Sequence, residues 1–100
     1  MTTERVHSLA ERVEIVHSII QPKAAPAPWF REELLRRGDV QVSLRTVYRW
    51  LEAGNAPEEQ LWMVEAVLLT LAHEAADKLM GQMERLQRSW FTPGTWEAMR

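Results

Sequence analysis

The sequence predicts an all-α protein, a small helical bundle with a long C-terminal helix. Apolar residues recur at spacings of three and four positions along most of the 100-residue chain, and no segment alternates as a half-buried strand does. Four isolated glycines, at positions 38, 54, 81 and 94, are placed as breaks between elements. Because a chain of this length fits one compact domain, we expect a single domain over residues 1–100.

The first predicted helix spans residues 3–20 and is followed by a spacer. Thr2 or Thr3 can serve as its N-cap, and Pro22 ends it. Its apolar face is formed by Val6, Leu9, Val13, Val16 and Ile20. Residues 21–28, QPKAAPAP, prefer an extended, polyproline-like path, which would let this helix pack far from the next one.

Two short helices are predicted over residues 29–37 and 43–53. The first has glutamates in its first turn and arginines in its last, which matches the helix dipole, and Gly38 fits the position just after its end. In the second helix, Ser43 is a suitable N-cap and Gly54 a suitable terminator.

A long helix is predicted over residues 57–90, with 91–100 as a tail. Asn55 and Glu58 complete a capping-box pattern at its start. Its apolar residues keep to one face, and an unbroken helix of this length would measure about 50 Å. A single small domain cannot bury such a length alone, so either the helix runs unbroken and meets a partner or Gly81 interrupts it.

The composition excludes several classes of protein. Apolar residues make up 46% of the chain, too many for a disordered segment, and the absence of cysteine excludes disulfide scaffolds and thiolate metal sites. No apolar run approaches the roughly 20 residues that span a bilayer, and the charged N-terminus does not resemble a signal peptide. We therefore expect a cytoplasmic protein without membrane contact.

Charge is unevenly distributed along the chain. The net charge is −2, but residues 36–51 contain four arginines against one aspartate, a local +3. Residues 54–100 contain four basic and seven acidic side chains, a local −3. A small basic footprint on an acidic body is compatible with local contact to nucleic acid.

The segment VSLRTVYRWLEAGNAP, residues 42–57, resembles the helix-turn-helix DNA-binding families, especially the phage-repressor-like (Cro-type) group and related small transcriptional regulators. In these families a turn ending in Val-Ser leads into a recognition helix of the type Ser-x-x-Thr-Val-x-x-Trp-Leu. The resemblance covers about 30 residues and implies that residues 29–53 are a helix-turn-helix within the bundle. It further implies sequence-specific binding of double-stranded DNA by a phage or mobile-element type of transcriptional regulator, such as a repressor.

The connection between the two short helices departs from that family pattern. The families have a turn of about three residues, whereas residues 38–42 give about five. Either the helix over 29–37 frays early, or the motif is a looser variant with a different angle between its helices.

A recognition helix must bury one side in its own domain and offer the other to DNA bases. Over residues 43–53, we expect Val47, Trp50 and Leu51 to face inward. Arginine and tyrosine suit contacts to phosphate and guanine, and hydroxyl groups at a helix N-terminus can donate to phosphate. The residues predicted to contact DNA are Ser43, Leu44, Arg45, Thr46, Tyr48, Arg49, Arg36 and Arg37.

No catalytic pattern is present in the sequence. His73-Glu74-x-x-Asp77 approaches a zinc-protease spacing but lacks the second histidine and a third ligand, and the isolated glycines form no phosphate loop. We therefore expect no enzymatic activity, no cofactor and no metal ion.

The apolar stripe over residues 61–90 predicts a homodimer, held by the long helix together with the helix over 3–20, since the short helices cannot cover it. Alternatively, a break at Gly81 lets residues 82–90 fold back onto the first helix and leaves a monomer.

A second function is the alternative to DNA binding, and it is favoured by the five tryptophans and the acidic C-terminal half. In it the chain is a protein-interaction module of phage type, an inhibitor of a host protein or a DNA-packaging adaptor.

Overall fold

The computed structural model describes the backbone of residues 7–90 and the side chains of residues 7–88. This part of the chain forms four α-helices and no strand, with α1 at Leu9–Ile20, α2 at Pro26–Gly38, α3 at Leu44–Ala53 and α4 at Glu58–Trp90. The predicted all-α bundle with a long C-terminal helix is confirmed. Between residues 7 and 90, no helix is both long and apolar enough to cross a membrane.

The first helix begins later than predicted. Ser8 is its N-cap: the Ser8 hydroxyl accepts a hydrogen bond from the Glu11 amide, and the Glu11 carboxylate accepts one from the Ser8 amide. This reciprocal capping box satisfies two amides that a helix leaves unpaired at its start, so the prediction of a start at residue 3 is wrong. Thr2, Thr3 and Val6 lie outside the described residues.

The predicted spacer over residues 21–28 is also wrong in its second half. Pro26 opens α2 because the first turn of a helix needs no amide donor and the proline ring fixes a helical φ. The chain therefore returns at once, and α1 packs against α2. His17 donates a hydrogen bond of 2.8 Å to the Ala24 carbonyl. Its ring packs edge-on against the Trp29 ring, with 5.4 Å between the two ring centroids.

A single apolar core joins all four helices. Phe30 and Leu34 of α2 are fully buried at its centre, where α4 packs against α1 and α2. α3 closes the core from the other side, against α1 and α2. The Leu9 amide donates a 2.9 Å hydrogen bond to the Gly54 carbonyl, so the start of α1 holds the end of α3.

Gly38 has a packing role that its expected position after α2 does not reveal. It is the last residue of α2, and Asp39 instead adopts the left-handed conformation, with φ of 55°. A Cβ atom at position 38 would lie 2.9 Å from Val67 Cγ2 and 3.1 Å from Met63 Cγ. The absent side chain thus allows α2 to approach α4, while aspartate tolerates the left-handed turn that follows.

Two glycine substitutions should therefore change stability in opposite directions. Gly38→Ala forces a methyl group against Val67, which is buried in the core, and we expect a loss of about 1–2 kcal/mol in the free energy of unfolding. Gly81→Ala meets only the end of Arg85, at 3.8 Å, and should gain up to about 1 kcal/mol from helix propensity. Urea unfolding followed by circular dichroism measures both; equal effects would contradict the close approach.

The long helix α4 is continuous through Gly81, so of the two alternatives the break with residues 82–90 folding back onto α1 does not occur. One glycine costs a helix only about 1 kcal/mol, which the hydrogen-bonded turns on either side offset.

The predicted cap of α4 at Asn55 does not form, because the Asn55 side-chain oxygen accepts from the Ala56 amide rather than from an α4 amide. Lys78 Nζ donates to the Ile20 carbonyl at 2.8 Å, at the end of α1. Beyond it the side chains of residues 79–88 are exposed, Gly81 excepted.

Candidate nucleic-acid interface

The two ends of α3 are fixed by the capping residues that the sequence predicts. Ser43 is in extended conformation, and its hydroxyl accepts a 3.1 Å hydrogen bond from the Thr46 amide. Ser43 and Thr46 also share a hydroxyl–hydroxyl hydrogen bond of 3.0 Å. Gly54 ends the helix with φ of 93°, and its amide donates to the Trp50 carbonyl. The predicted helix over 43–53 thus agrees with α3 and its N-cap.

The inner face of α3 is the one that the sequence predicts. Val47 and Trp50 are buried, at 0% and 7% exposure, and Leu51 is half-buried against the same core. Leu44, however, packs partly against this core, whereas we expected it to lie toward the outside. Its position follows from the helix geometry, because it precedes Val47 by three residues and Leu51 by seven.

The outer face of α3 carries Arg45, Tyr48 and Arg49. Tyr48 is 52% exposed, and both arginines are exposed. Among residues 7–88, neither Arg45 nor Arg49 forms a hydrogen bond or an ion pair. Their guanidinium groups are therefore available to an external anion or base edge.

The acidic residue Glu52 lies on this same outer face, and our sequence reasoning did not include it. It follows Tyr48 by four positions and Arg49 by three, so helix periodicity alone could have placed it there. The positive part of the surface is consequently the first two turns of α3.

The two arginines that end α2 have different environments. Arg37 is paired with Glu33 in its own helix and with Glu74 of α4. In the second pair, Arg37 Nη1 lies 2.7 Å from Glu74 Oε2. Arg36 also pairs with Glu33, at 3.0 Å, but its side chain is 65% exposed. Of the two predicted DNA contacts, Arg36 faces solvent and Arg37 joins α2 to α4.

These arginines lower the pKa of the Glu33 carboxylate. Burial raises the pKa of Glu33, but the hydrogen bonds from Arg37 and Arg36 outweigh it, and the net pKa is lower than the ordinary value. The hydrogen bonds that Arg37 donates to Glu33 and Glu74 likewise raise the pKa of Arg37. The positive charge of Arg37 is therefore used within the fold.

The connection between α2 and α3 is five residues long, 39–43. Of the two alternatives that the sequence left open, early fraying does not occur, because α2 continues to Gly38. The connection is anchored by buried Val40 and by a 3.0 Å hydrogen bond from Arg31 Nε to the Val42 carbonyl. The two helices are thus joined by a longer but well-packed turn.

A groove of about 580 Å³ lies between this connection and the exposed face of α2, beside the start of α3. Its polar lining residues are Arg31, Glu32, Arg36, Gln41 and Ser43, so that two arginines stand against one glutamate. Arg31 and Gln41 were not predicted as site residues, because only the packing of the connection onto α2 brings them beside α3. The groove extends the basic surface of α3 toward α2.

No family model, no curated protein and no solved structure matches this chain.

Proposed function

We propose that α2, the connection 39–43 and α3 act as a helix-turn-helix that binds double-stranded DNA, and that the protein is a small transcriptional regulator. The observation that carries the proposal is the division of α3 into two faces. Val47 and Trp50 fix one face in the core, while Arg45, Tyr48 and Arg49 are exposed on the other. A helix that enters a major groove needs this division.

The spacing of the exposed residues fits the reading of adjacent base pairs. Arg45 and Arg49 are one turn apart, so their Cα atoms are separated by about 6 Å along the helix axis. That distance is close to two base-pair steps of about 3.4 Å each. Each guanidinium can donate two hydrogen bonds to the O6 and N7 atoms of a guanine, and Tyr48 between them can contact a thymine methyl group or a sugar.

Phosphate contacts are assigned to the flanking residues. Arg31 and Arg36 line the groove beside the start of α3, where the helix also directs unpaired amides outward. Contacts of this kind orient a protein on the duplex without reading sequence. Glu52 repels phosphate at the other end of the face, so the complex is oriented with the N-terminal half of α3 deepest in the groove.

A salt titration with random duplex DNA tests the proposal. Random DNA offers Arg45 and Arg49 no preferred base pair, so on this duplex they approach phosphates together with Arg31 and Arg36. With four such contacts, affinity should fall about 100-fold per reading unit between 50 and 200 mM salt. Fluorescence anisotropy of a labelled duplex measures this loss. Arg85→Glu is the control, since Arg85 lies on α4 and should leave the slope unchanged. Absence of binding at 50 mM salt would contradict the proposal and favour a protein-interaction module.

A further inference from the structure

One face of α4 is apolar and is left without a partner in the described part of the chain. This face, which we call the α4 stripe, consists of Leu69, Ala72, Ala76, Leu79, Met80, Met83 and Leu86; Ala72 is half-buried at the edge of the core, and the others are exposed. Its large side chains are well exposed, with Leu69 and Met80 at 61% and Met83 and Leu86 at 58%. Soluble proteins rarely leave so long an apolar surface in water.

The stripe has two parts of different shape. On the body of the protein, α1 and α4 enclose an apolar groove of about 300 Å³ beside Leu69 and Ala72, with Ile15 on its α1 side. Its charged residues, Arg12 and Glu65, neutralise each other through two hydrogen bonds of 2.7 and 2.8 Å. Beyond Lys78, the stripe continues as a ridge of larger side chains on an exposed helix end.

We propose that two copies of the chain pair through this stripe, with their α4 helices antiparallel and the two-fold axis at Ala76. The ridge of each copy, residues 79–86, then fills the α1/α4 groove of the other. The distances agree, because residues 69 and 83 each lie seven positions from Ala76, about 10 Å along the helix. This dimer is independent of DNA binding and deepens the sequence-based expectation of a homodimer.

The sizes of the side chains favour the antiparallel register. In that register, Met80 lies opposite Ala72, Met83 lies opposite Leu69, and Ala76 meets its own copy at the axis. Large residues then face small ones or an open groove, as close packing requires. A parallel pair would instead place each alanine opposite itself, with Met80 and Met83 each against its own copy, and would leave both grooves empty.

The exposed area of the stripe reaches the lower limit for a stable pair. The large side chains of the stripe, together with Ile15, expose on the order of 600 Å² per copy, and each partner in a stable interface buries about 600–1,000 Å². The same surface is used by both copies, so the contact closes as a dimer and does not continue into a filament.

Sedimentation equilibrium of the full chain without DNA measures the association. We expect a mass twice the 11.7 kDa of one chain, and we expect Ala76→Glu to halve it, since two carboxylates would meet at the axis. Ala76 is exposed, so circular dichroism should show that the variant stays helical. Arg85→Glu, on the opposite side of α4, is the matched control and should remain dimeric. A wild-type mass of one chain would overturn the proposal.

Disulfide cross-linking determines the direction, since the natural chain has no cysteine. Leu69→Cys and Met83→Cys should each fail to cross-link alone, because equivalent positions lie about 20 Å apart in the antiparallel pair. Mixed together, the two variants should form a heterodimer joined by one disulfide. Cross-linking of each variant with itself would instead show a parallel pair and overturn the register. DNA binding enters neither measurement, so the proposed function can fail separately.

Discussion

Replacing Trp50 with alanine is expected to lower the free energy of unfolding by about 3–5 kcal/mol, a large part of the stability of a domain of this size. Trp50 is only 7% exposed and packs in the core together with Val47. Its removal leaves a cavity at the place where α3 meets α1 and α2, and the surrounding helices can only partly close it. Thermal and urea unfolding, followed by far-ultraviolet circular dichroism, measure the loss.

The matched control for this substitution is Tyr48→Ala, two positions earlier in the same helix. Tyr48 is 52% exposed, so its removal should change stability by less than about 0.5 kcal/mol. The same change should weaken DNA binding if α3 enters a groove. The reverse order of stability losses would mean that α3 is rotated about its axis, with Tyr48 in the core and Trp50 outside.

Arg45→Ala and Arg49→Ala should each weaken binding to the preferred DNA site by about 1–3 kcal/mol, which is roughly 5- to 150-fold. Among residues 7–88 neither guanidinium has a protein partner, so neither substitution should lower the melting temperature. Binding isotherms on the preferred site and on single-base variants of it measure affinity and base preference together. An arginine whose removal leaves the affinity unchanged does not belong to the interface.

Lysine at the same positions separates base reading from simple charge. A lysine keeps the positive charge but cannot form the two parallel hydrogen bonds of a guanidinium. Arg45→Lys and Arg49→Lys should therefore restore nonspecific binding but not the preference for guanine. Arg37→Ala is a useful contrast, because Arg37 pairs with Glu33 and Glu74 and its loss should reduce stability. If Arg37→Ala reduced only DNA affinity, the assignment of Arg37 to the fold would be wrong.

Sequence reasoning was most successful for α3. Its N-cap Ser43, its terminator Gly54 and its buried pair Val47 and Trp50 were all predicted from residues within one or two turns of each other. Capping and helix periodicity are local interactions, so they can be read without knowledge of the remaining chain. The prediction for Leu44 is wrong, since the same periodicity places it on the inner face, three positions before Val47.

The predicted starts of α1 and α2 are wrong because two local sequence signals compete at each of them. The threonines near the N-terminus and Ser8 are all suitable caps, but only Ser8 has Glu11 three residues later to complete a capping box. Pro26 fits both an extended spacer and the first position of a helix, and in the structure it is the first residue of α2. In both cases the correct signal was present in the sequence and was not used.

The helical class, the limits of α3 and the charged character of its outer face can all be predicted from the sequence, because each depends on residues close together along the chain. The roles of Gly38, Arg37 and Arg31 depend instead on contacts between distant segments. Their partners Val67 and Glu74 lie on α4, about 30 or more positions away, and Arg31 is held by the connection 39–43. The exposure of the α4 stripe is likewise tertiary, because it depends on where α1 ends against the longer helix.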